Sequence, residues 1–127
     1  MNKEIISTEN APAAVGPYSQ AVRIGNLVYT AGQVALDPAL GKLVGDDAPA
    51  QAEQALRNLA AILEAAGTSL ENVVKTTVFL DSMDDYKAVN EVYGRFFSKS
   101  PPARSAVEVA RLPLGALVEI EAVAVVE

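Results

Sequence analysis

The sequence predicts an α+β fold in which two helices cover one face of a sheet of about six strands. Short apolar runs separated by Pro and Gly indicate strands, and apolar residues recurring at three- and four-residue steps indicate helices. The predicted order is strands at 3–7, 21–24 and 27–31, a helix at 49–66, a strand at 73–80, a helix that opens at residues 82–85, and strands at 105–110 and 117–126. At 127 residues, 50% of them hydrophobic, the chain is expected to form one domain, 1–127.

The composition excludes several kinds of chemistry. The sequence has no cysteine and no histidine, so thiolate nucleophiles, imidazole bases and Cys/His zinc sites are excluded. Proton transfer is left to Asp, Glu, Lys or Tyr. No glycine-rich phosphate motif occurs, so a nucleotide cofactor has no support in the sequence.

The charge and the apolar runs indicate which partners to expect. The net charge is −6 and no basic residues cluster, which disfavours nucleic acid as a partner because binding to phosphates needs positive charge. No apolar run approaches the length of a membrane span, and the N-terminal residues lack an apolar signal-peptide core. We therefore expect a cytoplasmic protein that binds no membrane.

Residues 3–42 are predicted to form an antiparallel meander. After the first strand, residues 10–19 form a loop by composition and end near the aromatic hydroxyl of Tyr18. Gly25 and Asn26 separate the next two strands and suit the positive φ angles of a tight hairpin. Residues 37–42 contain the Pro and Gly of a second turn.

The first helix is predicted at 49–66 because its apolar residues follow a helical period. Asp47 can cap its first turn, Pro49 is tolerated there, and Gly67 is the expected left-handed stop. The β-branched run 73–80 follows and is predicted to be a central strand.

A second helix is predicted to open at a capping box in residues 82–85. Its apolar stripe is formed by Tyr86, Val89, Tyr93, Phe96 and Phe97. Asn90 falls within this stripe, so we expect a polar residue on the buried face. We favour an amide bonded to nearby backbone, and the alternative is an amide presented to a ligand or a neighbouring loop.

Arg104 enters an apolar strand two residues after Pro102, and Pro101 and Pro102 restrict the backbone before it. A guanidinium held in this way is suited to bind a carboxylate or phosphate with two parallel hydrogen bonds. The alternative is a structural salt bridge, and this stretch alone does not decide between the two.

The last strand, 117–126, alternates so that Glu119 and Glu121 lie on one face. From the pattern alone, both are interpreted as exposed charges that discourage aggregation. Three strands are apolar or mixed on both faces, and two helices cover only one face of a sheet. The uncovered face therefore predicts a homo-oligomer.

Several short motifs occur in a fixed order along the chain. They are Gly16-Pro17-Tyr18-Ser19-Gln20-Ala21, Ala31-Gly32-Gln33, 51–67, 74–80, Val89-Asn90, Pro102-Ala103-Arg104-Ser105 and 107–113. From about residue 8 to residue 126 the chain resembles the RidA family, also called YjgF, of reactive-intermediate imine and enamine deaminases.

The resemblance implies a chorismate-mutase-like fold with a mixed, mainly antiparallel sheet. It also implies a homotrimer with three clefts between adjacent subunits, and no metal or organic cofactor. The implied substrates are 2-imino acids and their enamine tautomers, such as 2-aminoacrylate or 2-iminopropionate, which water converts to 2-keto acids and ammonia. The small imino or keto acid is thus the implied ligand.

By resemblance, Arg104 binds the substrate carboxylate, the backbone of Gly32 binds the same group, and Glu119 positions the attacking water or relays a proton to the nitrogen. Tyr18 matches the cleft tyrosine, and Asn90 matches the helix asparagine near the site. Ala31 departs from the pattern because many members have Ser there, so a hydroxyl that could contact substrate is missing. One arginine and one carboxylate suffice for imine hydrolysis, because imines already hydrolyse readily in water.

The sequence leaves two other functions as alternatives. In the first, the trimer binds small carboxylates as a regulatory or chaperone-like protein with weak or no catalysis, and the missing hydroxyl at Ala31 favours it. In the second, relatives have been linked to ribonuclease activity. The net charge of −6 and the absence of histidine argue against that activity.

Overall fold

Six strands form one mixed sheet in the computed structural model, which describes residues 2–127. The elements are β1 (Glu4–Ile6), β2 (Ala21–Ile24), β3 (Leu27–Thr30), α1 (Ala48–Ala65), β4 (Val73–Leu80), α2 (Tyr86–Phe96), β5 (Ala103–Glu108) and β6 (Val118–Val125). The strand order across the sheet is β1-β2-β3-β6-β4-β5. The predicted α+β arrangement of two helices and about six strands is confirmed.

The sheet is antiparallel except at one edge. β1, β2 and β3 form the predicted meander, and β6 pairs antiparallel with both β3 and β4. β5 pairs parallel with β4, because α2 returns the chain to the starting end of β4. This pairing places Arg104 directly beside Thr76.

Helix α1 begins and ends at the predicted signals. The Asp47 side chain accepts a hydrogen bond from the Ala50 amide at 3.0 Å, and Pro49 lies in the first turn. Gly67 has a φ of +87°, which a glycine adopts without strain. The helix therefore lies within one residue of its predicted bounds.

Helix α2 begins later than its sequence signal indicates. Ser82 accepts a hydrogen bond from the Asp84 amide at 3.1 Å and caps a single 3₁₀ turn, Met83–Asp85. The α-helix proper starts at Tyr86. The predicted capping residues thus initiate a tighter turn, a common form of helix start.

The helices cover one face of the sheet and leave the other uncovered. β6 alternates as predicted, with alternate side chains buried in the core and the others only half-buried. The buried set comprises Val118, Ile120, Ala122 and Ala124, which form one core with α1, α2 and β4. On the opposite face, Tyr29 is 46% exposed and Val107 is 42% exposed. Within residues 2–127, neither helix has the length and apolar character needed to cross a bilayer.

Candidate functional site

Arg104 is held by three side chains of α2. One guanidinium nitrogen donates to Asn90 Oδ1 at 2.8 Å and another donates to the Tyr86 hydroxyl at 2.9 Å. The guanidinium carbon lies 4.8 Å from the Tyr93 ring centroid and 5.4 Å from that of Tyr86, within cation–π range. Positions 86, 90 and 93 share one helix face. Their three side chains therefore form a single cradle for the Arg104 guanidinium, called the Arg104 cradle below.

Among residues 2–127, no acidic side chain neutralises the positive charge of Arg104. Across residues 2–127, one ion pair has its nitrogen and oxygen within 4.0 Å of each other. It joins Arg57 to Glu53, two exposed residues one turn apart on α1. Arg104 is contacted instead by neutral oxygens and aromatic faces. The alternative interpretation, in which Arg104 forms a structural salt bridge, is therefore wrong among residues 2–127. The guanidinium remains able to bind an anion.

A hydrogen bond to β4 fixes Tyr93 within the Arg104 cradle. Its hydroxyl lies 2.7 Å from Thr76 Oγ1, and both residues are buried. Burial raises the pKa of the Tyr93 hydroxyl, while the Thr76 hydrogen bond and the Arg104 charge partly oppose this rise. The ring under Arg104 therefore remains neutral and rigidly placed.

Asn90 is half-buried on the predicted face of α2. Its amide oxygen accepts a hydrogen bond from the Arg104 side chain, whereas the favoured prediction from the sequence is a backbone partner. That preference is wrong because the parallel pairing of β5 with β4 places the guanidinium directly over this turn of α2. No periodicity within α2 itself contains this information.

Four of the other predicted site residues line one cavity of about 470 Å³. Gly32 and Glu119 lie in contact across it, since a Cβ at position 32 would overlap the Glu119 carboxylate. A larger residue at position 32 would therefore displace the Glu119 carboxylate from this position. The lining residues are Pro12, Ala13, Val15, Tyr18, Gln20, Ala31, Gly32, Gln33, Val34, Leu36, Pro113, Leu114 and Glu119.

The carboxyl of Glu119 is a perturbed acid. Burial raises its pKa, and the nearby charge of Glu121 raises it further. Glu121 lies two residues away on the same strand face, as the alternation predicted. Glu119 thus retains a proton at higher pH than an ordinary glutamate does, as expected of a proton donor in a cavity.

Tyr18 lies on the loop that borders this cavity and is 52% exposed. Its hydroxyl accepts from the Val15 amide at 3.4 Å. The loop is held by Gln20, whose side chain donates to the carbonyls of Thr8 and Pro12 at 3.0 and 2.8 Å. Gln20 was not singled out from the sequence, although a glutamine at the loop–strand junction could have suggested this role.

The Arg104 cradle and the cavity that contains Glu119 lie on opposite faces of the sheet. Arg104 pairs with Thr76, whose side chain faces the helices, and Glu119 pairs with Phe79, three residues further along β4. Because alternate residues of a strand face opposite sides, Arg104 and Glu119 point away from each other within one chain. The structure therefore joins Tyr18, Ala31, Gly32 and Glu119 at one place, and Arg104 and Asn90 at another. Among residues 2–127, no three acidic side chains converge as a metal site requires.

These features define a small α+β protein with an arginine held at a sheet edge and an acid in a separate cavity. The sequence model of the family described as endoribonuclease L-PSP matches residues 8–126. The chain belongs to this family, which is the RidA/YjgF family that its motifs resemble.

Individual relatives are similar over nearly their whole length. The 2-iminobutanoate/2-iminopropanoate deaminase of Mus musculus is 54% identical over 123 residues, which cover 97% of this chain and 91% of the mouse protein. Among solved structures, the YjgF gene product of E. coli is 50% identical, with a TM-score of 0.93 and coverage of 96% and 98%. E. coli TdcF with bound serine is 43% identical, with a TM-score of 0.93 and coverage of 98% and 99%.

Proposed function

We propose that this protein hydrolyses 2-imino acids and their enamine tautomers to 2-keto acids and ammonia. The main structural support is the state of Arg104, a guanidinium fixed by neutral partners and free of acidic ones among residues 2–127. Such a group is suited to bind the carboxylate of a small acid. The names of relatives at 49–54% identity, which are 2-iminobutanoate/2-iminopropanoate deaminases, supply the substrate class.

We propose further that the active protein is a homotrimer of chorismate-mutase-like domains, each spanning 1–127, with the site between adjacent subunits. Arg104 and Asn90 of one subunit would face Tyr18, Gly32 and Glu119 of the next. The placement of the two clusters on opposite faces supports this arrangement, because one chain alone cannot apply both to one small substrate. The uncovered sheet face supplies the apolar surface that an assembly would bury.

In the proposed reaction, Arg104 and the Gly32 amide hold the carboxylate, so that C2 is presented to water. Glu119 donates a proton to the imine nitrogen and orients the water molecule. Water adds to C2 to give a carbinolamine, the C–N bond then breaks, and ammonia leaves as the C2–oxygen double bond forms. No metal or organic cofactor is required by these steps.

The first prediction tests this function directly. We expect the wild-type protein to accelerate the loss of 2-iminopropionate generated from alanine by an amino-acid oxidase. Arg104→Ala should lower kcat/KM by at least about a hundredfold, because a charged hydrogen-bonded anchor contributes about 1.5–3 kcal/mol and also sets the substrate orientation. Arg57→Ala, which removes an exposed arginine of α1, is the matched control and should retain activity. Equal acceleration by wild type and Arg104→Ala would contradict the proposal.

A second candidate is a non-catalytic trimer that binds small carboxylates. The alanine at position 31, in the wall of the cavity, favours it because a hydroxyl is absent there. Tight calorimetric binding of 2-oxobutanoate without any turnover would support it.

Ribonuclease activity, which the family description names, is disfavoured by the net charge of −6 and the lack of histidine. The cytoplasmic location remains a prediction.

A further inference from the structure

The start of helix α2 is held by polar contacts rather than by the hydrophobic core. From residue 82 to residue 88 every residue is half-buried or exposed, and the first buried residue of the helix is Val89. A segment with few buried apolar contacts is easily displaced. Tyr86 lies in this segment and binds the Arg104 guanidinium. Its position therefore depends on the hydrogen bonds that tie the segment to the sheet.

Glu108 forms one of two side-chain hydrogen bonds that join residues 82–88 to the sheet within residues 2–127. Its Oε1 accepts from the Met83 amide at 2.8 Å, and the other bond runs from Arg104 to the Tyr86 hydroxyl. Glu108 and Arg104 are four residues apart on β5, so their side chains share the helix-covered face of the strand. Ala106, which lies between them on this face, packs against the core. The start of α2 is therefore attached to β5 at two points.

A short series of hydrogen bonds connects Glu108 to Arg104 through the 3₁₀ turn. The Met83 amide donates to the Glu108 carboxylate, and the Met83 carbonyl accepts from the Tyr86 amide. The Tyr86 hydroxyl in turn accepts from Arg104 at 2.9 Å. Because both ends of this series lie on β5, a displacement of the turn at Met83 moves Tyr86 relative to the guanidinium.

The Glu108 carboxylate contributes to the position of α2 and not to the pairing of β5. The backbone of Glu108 is paired with Leu80 of β4, and the next amide, that of Val109, donates to the Leu80 carbonyl at 2.9 Å. These backbone contacts do not depend on the side chain at position 108. A charged acceptor forms a stronger hydrogen bond than a neutral one, which suits a single exposed contact. Truncation of Glu108 should therefore release the start of α2 while β5 stays in place.

We infer that Glu108 is a positioning residue for substrate binding. It holds the start of α2 against β5, so that the Arg104 cradle keeps the guanidinium in the orientation that binds a carboxylate. Glu108 acts through Met83 and Tyr86, because its own position is four residues, or about 13 Å, along the strand from Arg104. This inference rests on the proposed function, in which Arg104 binds the substrate carboxylate.

The test compares Glu108→Ala with Glu108→Gln and Ser82→Ala. Glu108→Ala removes the acceptor, and we expect KM for 2-iminopropionate to rise by about three- to tenfold with kcat nearly unchanged. Glu108→Gln keeps an oxygen that can accept from the Met83 amide, so its KM should lie within about twofold of wild type. Ser82→Ala is the matched control, because Ser82 caps the Asp84 amide of the same turn from within the segment. It should lower thermal stability and leave KM unchanged.

A wild-type KM in Glu108→Ala would overturn the inference. Equal changes of stability and KM in Glu108→Ala and Ser82→Ala would also overturn it, because both variants would then act only by loosening the turn. If the wild-type protein does not deaminate 2-iminopropionate, the proposed function fails, and NMR of the Arg104 Nε–H group then tests Glu108 alone. This signal, identified by its loss in Arg104→Ala, should shift and broaden in Glu108→Ala and stay unchanged in Ser82→Ala. An unchanged signal in Glu108→Ala contradicts the inference.

Discussion

Glu119 combines an unusual environment with an unusual neighbour. It is half-buried, and the nearby charge of Glu121 acts with that burial to raise its pKa. Gly32 permits the chain to pass so close that no side chain fits between. A polar residue in a strand can be identified from the sequence, but its contact with a glycine 87 positions earlier depends on the fold.

The raised pKa of Glu119 predicts a pH dependence. An ordinary glutamate loses its proton near pH 4.3, so a raised pKa extends the protonated form to higher pH. If this carboxyl donates the proton, wild-type kcat should fall as pH rises through that raised pKa. Glu119→Gln should lower kcat by about a hundredfold and abolish this limb of the profile.

The measurement is the enzymatic rate after subtraction of the spontaneous hydrolysis rate at each pH between 5 and 9. Glu121→Gln is the matched control, because it removes the like charge and keeps the acid. In Glu121→Gln, the fall in kcat should move to lower pH, because the charge that adds to the effect of burial on the Glu119 pKa is removed. A profile in Glu119→Gln with the wild-type shape would show that another group titrates.

Helix α2 acts as a unit at the scale of secondary structure. Tyr86, Asn90 and Tyr93 lie along one face and contact Arg104 together. Removing the Tyr86 hydroxyl by Tyr86→Phe keeps the ring and deletes one acceptor. We expect KM to rise by about two- to tenfold with kcat nearly unchanged, because a neutral hydrogen bond contributes about 0.5–1.5 kcal/mol.

A double-mutant cycle tests whether Tyr86 acts on KM by positioning Arg104 or by an effect that does not involve Arg104. In an Arg104→Ala background, Tyr86→Phe should have no further effect on KM, since the group that it positions is absent. Additive effects of the two substitutions would contradict a positioning role. Thermal unfolding of Tyr86→Phe should remain close to wild type because the ring is partly exposed and still packs.

Local signals account for most elements but not for the cradle. The period of α1, its Asp47 cap and Gly67 depend on neighbouring residues, so the sequence predicted its bounds to within one residue. The start of α2 was less accurate because Ser82 can cap a 3₁₀ turn as well as an α-helix. The contacts of Tyr86 and Tyr93 with Arg104 arise from the parallel β4–β5 pairing, which no local pattern specifies.

The whole molecule explains why the predicted site is divided. The chain places Arg104 on the helix side of the sheet and Glu119 on the uncovered side. From the sequence, these residues could be assigned to one reaction through the family resemblance alone. Sheet alternation places the two residues on opposite faces of one chain, so that they face different directions.

The last prediction concerns this division between subunits. Arg104→Ala and Glu119→Gln chains, each expected to be nearly inactive alone, are mixed in equal amounts, unfolded in urea and refolded together. In a cyclic assembly, about a quarter of the interfaces then pair an intact Arg104 of one chain with an intact Glu119 of the next. We therefore expect about a quarter of wild-type activity, in particles whose trimeric mass is checked by light scattering. Refolding the Arg104→Ala, Glu119→Gln double variant with wild type is the control, and it should also give about a quarter, against a half if each site lay within one chain. Failure of the first mixture to recover activity, with a half recovered in the control, would contradict a shared site.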